Sequence, residues 1–235
     1  MSGHSKWATI KRKKEVIDAK RGAIFTKLGN IISIAAREKG GDLETNFSLR
    51  MAVDKAKAAN MPKENIDRAI KRGTGEAGGA QIEELVYEAI GPANSQFVIK
   101  VLTDNKNRSA STVRHIFSKH GGALGAVMWN FEQKGVIMIS DLRLPISDLE
   151  LDLIDAGADD IKSEEEGVTI CTKPEDLQRV KKFLEEKSIP TESAEIEFVA
   201  KDKIVLSDED NEKVDKVIDE LEGNEDVSDY YTNID

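Results

Sequence analysis

The apolar residues of this chain change their repeat at one place, the run Gly73-Thr-Gly-Glu-Ala-Gly-Gly-Ala80. Before it the spacing is helical. Ile24, Leu28, Ile31 and Ala35 recur at intervals of three and four, which predicts one buried stripe on a helix over 23–39, ended by Gly40-Gly41. Leu49, Val53 and Ala56 mark a helix over about 46–59. Ile66, Ala69 and Ile70 mark a short one that starts near Pro62 and stops before Gly73. Residues 8–22 read as a helical arm with little apolar surface to anchor it, only Ile10, Val16 and Ile17.

The glycine run itself reads as a linker. Beyond it, short β-type runs alternate with helical ones. Strands are expected at 84–90 and 96–103, a helix at 109–119, and strands at about 125–131 and 135–140. A helix at 147–155, strands at 159–163 and 167–172, a helix at 174–187 and a strand at 194–200 follow. Residues 134–200 thus spell β-α-β-β-α-β, the split-βαβ order. A last helix, 208–222, and strand, 226–232, are left over to complete the sheet begun at residue 84. The expected fold class is α+β in three domains: a basic helical module, 1–75; a discontinuous α/β domain, 76–133 plus 201–235; and an inserted ferredoxin-like domain, 134–200.

Charge is segregated along the same axis. The formal net charge is −10. Yet residues 1–75 hold 17 Lys+Arg against 8 Asp+Glu, residues 76–135 hold 6 against 6, and residues 136–235 hold 11 against 30. A basic end on an acidic chain points to a polyanionic partner for that end, with the acidic end repelling and orienting it. The cations expected to touch nucleic acid are Lys6, Lys11, Arg12, Lys13, Lys14, Lys20, Arg21, Lys27, Lys55, Lys57, Arg68, Lys71 and Arg72. Trp7 can stack on a base or pack on the module. Lysine and arginine act mainly on phosphates, which confers affinity rather than sequence reading.

Other chemistries find little support. Gly73-x-Gly75-x-x-Gly78 matches a dinucleotide fingerprint by letter, but a helix rather than a strand precedes it. His115 and His120 stand five apart, off the spacing of a helical metal pair. The single cysteine, Cys171, sits in a predicted strand as a small apolar filler and rules out an intramolecular disulfide. Carboxylate runs such as Asp159-Asp160 and Glu164-Glu165-Glu166 read as solvated turns. No serine or cysteine lies in a nucleophile motif. The expectation is a non-enzymatic protein without metal or cofactor. No apolar run approaches the roughly 20 residues that span a bilayer, and no signal sequence opens the chain, so a cytoplasmic, membrane-independent monomer is expected.

Several long motifs resemble the YebC family. They are Gly3-His-Ser-Lys-Trp-Ala-Thr-Ile-Lys11, Asp18-Ala-Lys-Arg-Gly22, Phe25-Thr-Lys-Leu28 and Asp54-Lys-Ala-Lys-Ala-Ala-Asn-Met-Pro-Lys63. Asn65-Ile-Asp-Arg-Ala-Ile-Lys-Arg-Gly-Thr-Gly-Glu76, Leu102-Thr-Asp-Asn-Lys-Asn-Arg108, Val113-Arg-His-Ile-Phe-Ser-Lys-His-Gly-Gly122 and Ala156-Gly-Ala-Asp-Asp-Ile161 follow in order. Ala23 and Ser48 stand where that family is often basic. Tyr87-Glu-Ala-Ile-Gly-Pro92 lacks its usual extra glycine and aromatic. The resemblance implies one helical and two α/β domains, no established catalytic residue or cofactor, and a probable transcriptional regulator that binds DNA. It also brings in relatives that act in translation, mitochondrial activators and ribosome-linked bacterial proteins, which implies the alternative of a ribosome-associated translation factor binding ribosomal RNA through the same module.

Overall fold

The computed structural model describes residues 21–78, 82–140, 146–164 and 167–235. The helical arm expected over 8–22 lies outside these residues, except that Arg21 and Gly22 open the first described helix. Three helices come first: α1 (Arg21–Lys39), α2 (Phe47–Ala58) and α3 (Lys63–Gly73). Then follow β1 (Glu83–Ile90), β2 (Gln96–Thr103), α4 (Lys106–Lys119), β3 (Ala123–Leu124) and β4 (Phe131–Ile139). The chain continues through α5 (Glu150–Asp155), β5 (Ala158–Glu164), β6 (Gly167–Thr172), α6 (Leu177–Glu186) and β7 (Ser193–Ala200). It ends with α7 (Asp208–Gly223) and β8 (Val227–Thr232). This is the mixed α+β class, with two four-stranded antiparallel sheets. Among the described residues, no helix is long and apolar enough to cross a membrane.

Two compact units are present. One contains the described residues up to Met128 together with Lys203–Asp235; the other is Trp129–Asp202.

In the first unit, α1 is the central helix because it is apolar on two sides. Leu28, Ile32, Ala35 and Ala36 pack against Leu49, Val53 and Ala56 of α2 and Ile66 and Ala69 of α3. Ile34 turns the other way and meets Ile82 and Leu102 beside the sheet. Each such Leu, Ile or Val side chain removed from water contributes about 1.5–3 kcal/mol, and each alanine methyl about 0.8 kcal/mol. Gly40 closes α1 with φ +88°, a left-handed turn that suits glycine. Asn46 then starts α2 from a fully buried position. Its Oδ1 accepts the Leu49 N–H at 3.0 Å, and its Nδ2 donates to the carbonyls of Ala35 at 2.8 Å and Gly40 at 2.7 Å. One side chain thus satisfies the end of α1 and the start of α2.

The first sheet has the order β3-β1-β2-β8. The hairpin β1–β2 forms its centre, with Leu85 opposite Val101 and Tyr87 opposite Ile99. Because β3 and β2 each run antiparallel to β1, β2-α4-β3 is a split crossover around β1. Helices α4 and α7 cover one face. Phe97 and Phe117 meet edge to face, centroids 5.1 Å apart, among Val113, Ile116, Val217 and Leu221. The edge strand β8, from the end of the chain, pairs with β2 from Phe97↔Thr232 to Val101↔Val227.

The second unit has the order β5-β6-β4-β7. Both β4-α5-β5 and β6-α6-β7 are split crossovers, so residues 131–200 realise the β-α-β-β-α-β order. Val136, Ile137, Met138 and Ile139 of β4 and Leu177, Val180 and Leu184 of α6 are buried. Asn130 pins the two ends of the unit together. Its Nδ2 donates to the Asp202 carbonyl at 2.9 Å and its Oδ1 accepts the Asp202 N–H at 2.8 Å.

The strand expected at 135–140 is the second half of a longer strand, β4, while the one expected at 125–131 is corrected. The chain instead has a two-residue strand, β3, a 3-10 turn at Met128–Asn130 and one continuous strand, β4. Glu88 explains the turn: its Oε2 accepts the N–H groups of both Val127 and Met128 at 2.7 Å, taking donors a ladder would need. Gly135 does not break β4, because a Cβ there would overlap Thr172 Oγ1 and crowd Leu177. Gly73 likewise belongs to α3 rather than to a loose linker.

Candidate nucleic-acid interface

Helix α3 is amphipathic because Ile66, Ala69 and Ile70 recur on one side, leaving its cations on the other. Lys63, Arg68 and Lys71 are exposed, and none of them has an ion-pair partner among the described residues. Arg68 and Lys71, three apart, share a helical face. On α2, Lys55 and Lys57 are exposed, and Lys57 lies 3.8 Å from Asp54, a loose surface pair of small energetic weight. The Arg50 guanidinium stacks 5.7 Å from the Phe47 ring centroid and donates to the Leu43 carbonyl at 3.3 Å, so it braces its own helix. Lys63 was not singled out by the sequence reading, although it closes the Asp54–Lys63 motif.

Two of the expected contact residues are placed differently. Lys27 is half-buried, and its Nζ donates to the Glu222 carbonyl at 2.9 Å, at the end of α7. There a cation meets unpaired helix-terminal carbonyls, and it ties α1 to α7. Arg72 turns inward from α3 onto α1. Its Nε donates to Ser33 Oγ at 3.0 Å and its Nη2 to Asn30 Oδ1 at 2.8 Å. Ser33 Oγ in turn lies 2.8 Å from the carbonyls of both Gly29 and Ala69, between which its single proton is shared. Burial pushes the Arg72 guanidinium below its usual range, yet an arginine remains a cation at any physiological pH. Lys6, Trp7, Lys11, Arg12, Lys13, Lys14 and Lys20 lie outside the described residues. Arg21 starts α1 and its side chain is likewise outside the description.

A cavity of about 560 Å³ opens between α1, the end of α3 and the glycine segment after it. Arg37 and Arg72 both line it. Arg37 donates to the Ile82 carbonyl at 2.6 Å, just before β1. Arg37 was missed by the sequence reading. A single arginine between Ala36 and Glu38 gives no local signal, and only its long-range contact with Ile82 distinguishes it.

Several other titratable groups make surface pairs. His120 Nε2 and Lys119 Nζ both approach Glu220 Oε1, at 2.9 and 2.7 Å, and the bonds from Lys119 and then His120 hold that carboxyl below its usual range. Lys134 does the same for Glu132, and Lys213 for Asp210. His115 is exposed and Cys171 half-buried. Among the described residues, no three histidine, cysteine or carboxylate side chains gather to hold a metal.

Residues 5–76 match the model described as the TACO1/YebC protein N-terminal domain, and residues 82–234 match that of the TACO1/YebC second and third domain. A probable transcriptional regulatory protein of Thermoanaerobacter pseudethanolicus is 50% identical over 238 residues, covering 100% of this chain and 97% of its own. One from Thermotoga maritima is 49% identical over 237 residues, covering 99% and 93%. The crystal structure of a conserved hypothetical protein from Aquifex aeolicus superposes with a TM-score of 0.84 at 41% identity, over 93% of this chain and 92% of that one. Matched from end to end by the models for all three of its domains, the chain belongs to the TACO1/YebC family.

Proposed function

We propose that this protein is a regulator of gene expression that binds duplex DNA through its basic helical module, residues 1–75. The observation that carries the reading is the set of exposed cations Lys63, Arg68 and Lys71 on α3, none of them ion-paired among the described residues. The same 1–75 stretch also holds Lys11, Arg12, Lys13 and Lys14 in sequence. Unpaired surface cations release counterions from a phosphate backbone when they bind it, and that release drives association. The names of relatives about half identical to this chain support the regulatory role. The discontinuous α/β domain, 76–133 plus 201–235, and the inserted domain, 134–200, carry the acidic surface, which orients the module and leaves the sheets for other contacts. The protein acts in the cytoplasm, as a monomer and without catalysis.

Crosslinking in cells, followed by sequencing of both bound DNA and bound RNA, tests the reading. Enrichment of promoter DNA supports it. Enrichment of ribosomal RNA alone replaces it with a ribosome-associated translation factor that uses the same cations on RNA phosphates.

A further inference from the structure

The cavity between α1, α3 and the glycine segment has an electrostatic imbalance. Among the described residues, the two charged ones that line it are both cations, Arg37 and Arg72, and none is acidic. Neither guanidinium has a carboxylate partner among the described residues. Each arginine carries five N–H donors in a planar fork. Arg37 directs one to Ile82, and Arg72 directs one to Ser33 and one to Asn30. The remaining donors have no protein acceptor among the described residues. Burial already penalises the charge on Arg72, so an anion that neutralises it gains more there than at the open surface.

Four of the described lining residues are glycines, which add bare backbone to the wall. Gly40, Gly75 and Gly78 hold φ of +88°, +85° and +63°, and a Cβ on any of them would meet nothing within 4 Å. Gly73 backs onto α1 so closely that a Cβ would overlap the Ser33 carbonyl oxygen, and this brings Arg72 to the cavity. The Gly73-x-Gly75-x-x-Gly78 pattern follows a helix, not a strand, so it is no dinucleotide fingerprint. Its glycines instead leave a wall that a flat ligand can approach. The volume, about 560 Å³, exceeds what a lone phosphate needs and lies in the range of small-molecule sites.

We propose that this cavity receives a phosphate-bearing nucleotide, with the phosphate on Arg37 and Arg72 and the sugar or base against the glycine wall. The phosphate comes from a nucleic-acid backbone or from a free nucleotide. Only the first source rests on the nucleic-acid reading above.

Amide and arginine side-chain NMR spectra of the ¹⁵N-labelled full chain test the site. The probes are adenosine 5′-monophosphate, adenosine, a duplex DNA and a single-stranded oligoribonucleotide. The monophosphate should shift the Gly73, Gly75 and Gly78 amides and the Arg37 and Arg72 Nε–H signals, and adenosine should not. Arg37→Gln, which leaves the Arg72 contacts with α1 in place, should weaken the monophosphate about tenfold or more, and Arg37→Lys should restore part of the loss. Either nucleic acid shifting the same signals identifies the backbone as a source. A monophosphate response from a chain that binds neither nucleic acid keeps the cavity and overturns the nucleic-acid reading. Nucleic acid bound with every cavity signal unmoved, together with no response to the monophosphate, overturns the cavity and leaves that reading standing. Unchanged affinity in Arg37→Gln overturns the cavity as well.

Discussion

Arg72 Nη2 donates to Asn30 Oδ1 at 2.8 Å, across the contact of α3 with α1. With the bond from Arg72 Nε to Ser33, it converts a residue that sequence places in a solvent-facing basic row into a cross-helix clamp. Arg72→Ala should lower unfolding free energy by about 1–3 kcal/mol, because it leaves Asn30 and Ser33 with lost partners in a region mostly closed to water. Arg72→Lys keeps the charge but not the fork, so it should recover only part of that loss. Urea unfolding midpoints at constant slope measure both.

Asn46 is the buried side chain that joins the end of α1 to the start of α2. Asn46→Ala should cost about 2 kcal/mol or more, since it removes the α2 cap and strands the Ala35 and Gly40 carbonyls. Asn46→Asp should also destabilise, because it keeps the acceptor for Leu49 but loses both donors. Circular-dichroism melts would show both shifts, and a melt equal to the parent's would remove the side chain from this role.

Gly73→Ala should separate α3 from α1, since its Cβ would overlap the Ser33 carbonyl oxygen and crowd Ala36. Overpacking of this kind costs about 1–3 kcal/mol. Gly75→Ala meets no neighbour but strains a φ of +85°, so its loss should come from the backbone and be smaller. Paired denaturation curves separate the two causes.

Glu220 makes part of the stability pH-dependent. Its carboxyl is held below the usual range by Lys119 and His120, so the folded chain favours the ionised form. The contribution is fully present above the unfolded pKa and is lost as pH falls through the depressed folded value. Glu220→Gln should therefore lower stability slightly at neutral pH, by a small amount because the pair is solvent-accessible, and flatten the acid limb so that the two profiles converge as pH falls. A profile parallel to the parent's down to acid pH would argue against this linkage.

Much of the fold is legible in the sequence because short-range periodicity carries it. Leu28 and Ala35, or Val53 and Ala56, announce their helices without knowledge of any partner. The short β-type runs Leu85–Ile90 and Phe97–Leu102, separated by Gly91-Pro92-Ala93-Asn94, do the same for the hairpin. The strand expected at 125–131 failed because Glu88, nearly 40 residues away, takes the N–H groups of Val127 and Met128. Nothing within that window encodes a distant carboxylate. The site was harder still. Lys71 and Arg72 are adjacent cations with the same local signal, yet one is exposed and the other is bonded to α1. Only tertiary partners tell them apart, and the same holds for Arg37.

The most direct measurement is the salt dependence of duplex DNA affinity for the full chain and for Lys63→Glu/Arg68→Glu/Lys71→Glu. For the parent chain, log K should fall linearly with log salt, by about 0.9 for each phosphate neutralised, and the triple variant should bind more weakly with a shallower slope. A parent chain that fails to bind DNA at low salt while retaining ribosomal RNA, or a triple variant with unchanged affinity and slope, would contradict DNA binding through this helical face.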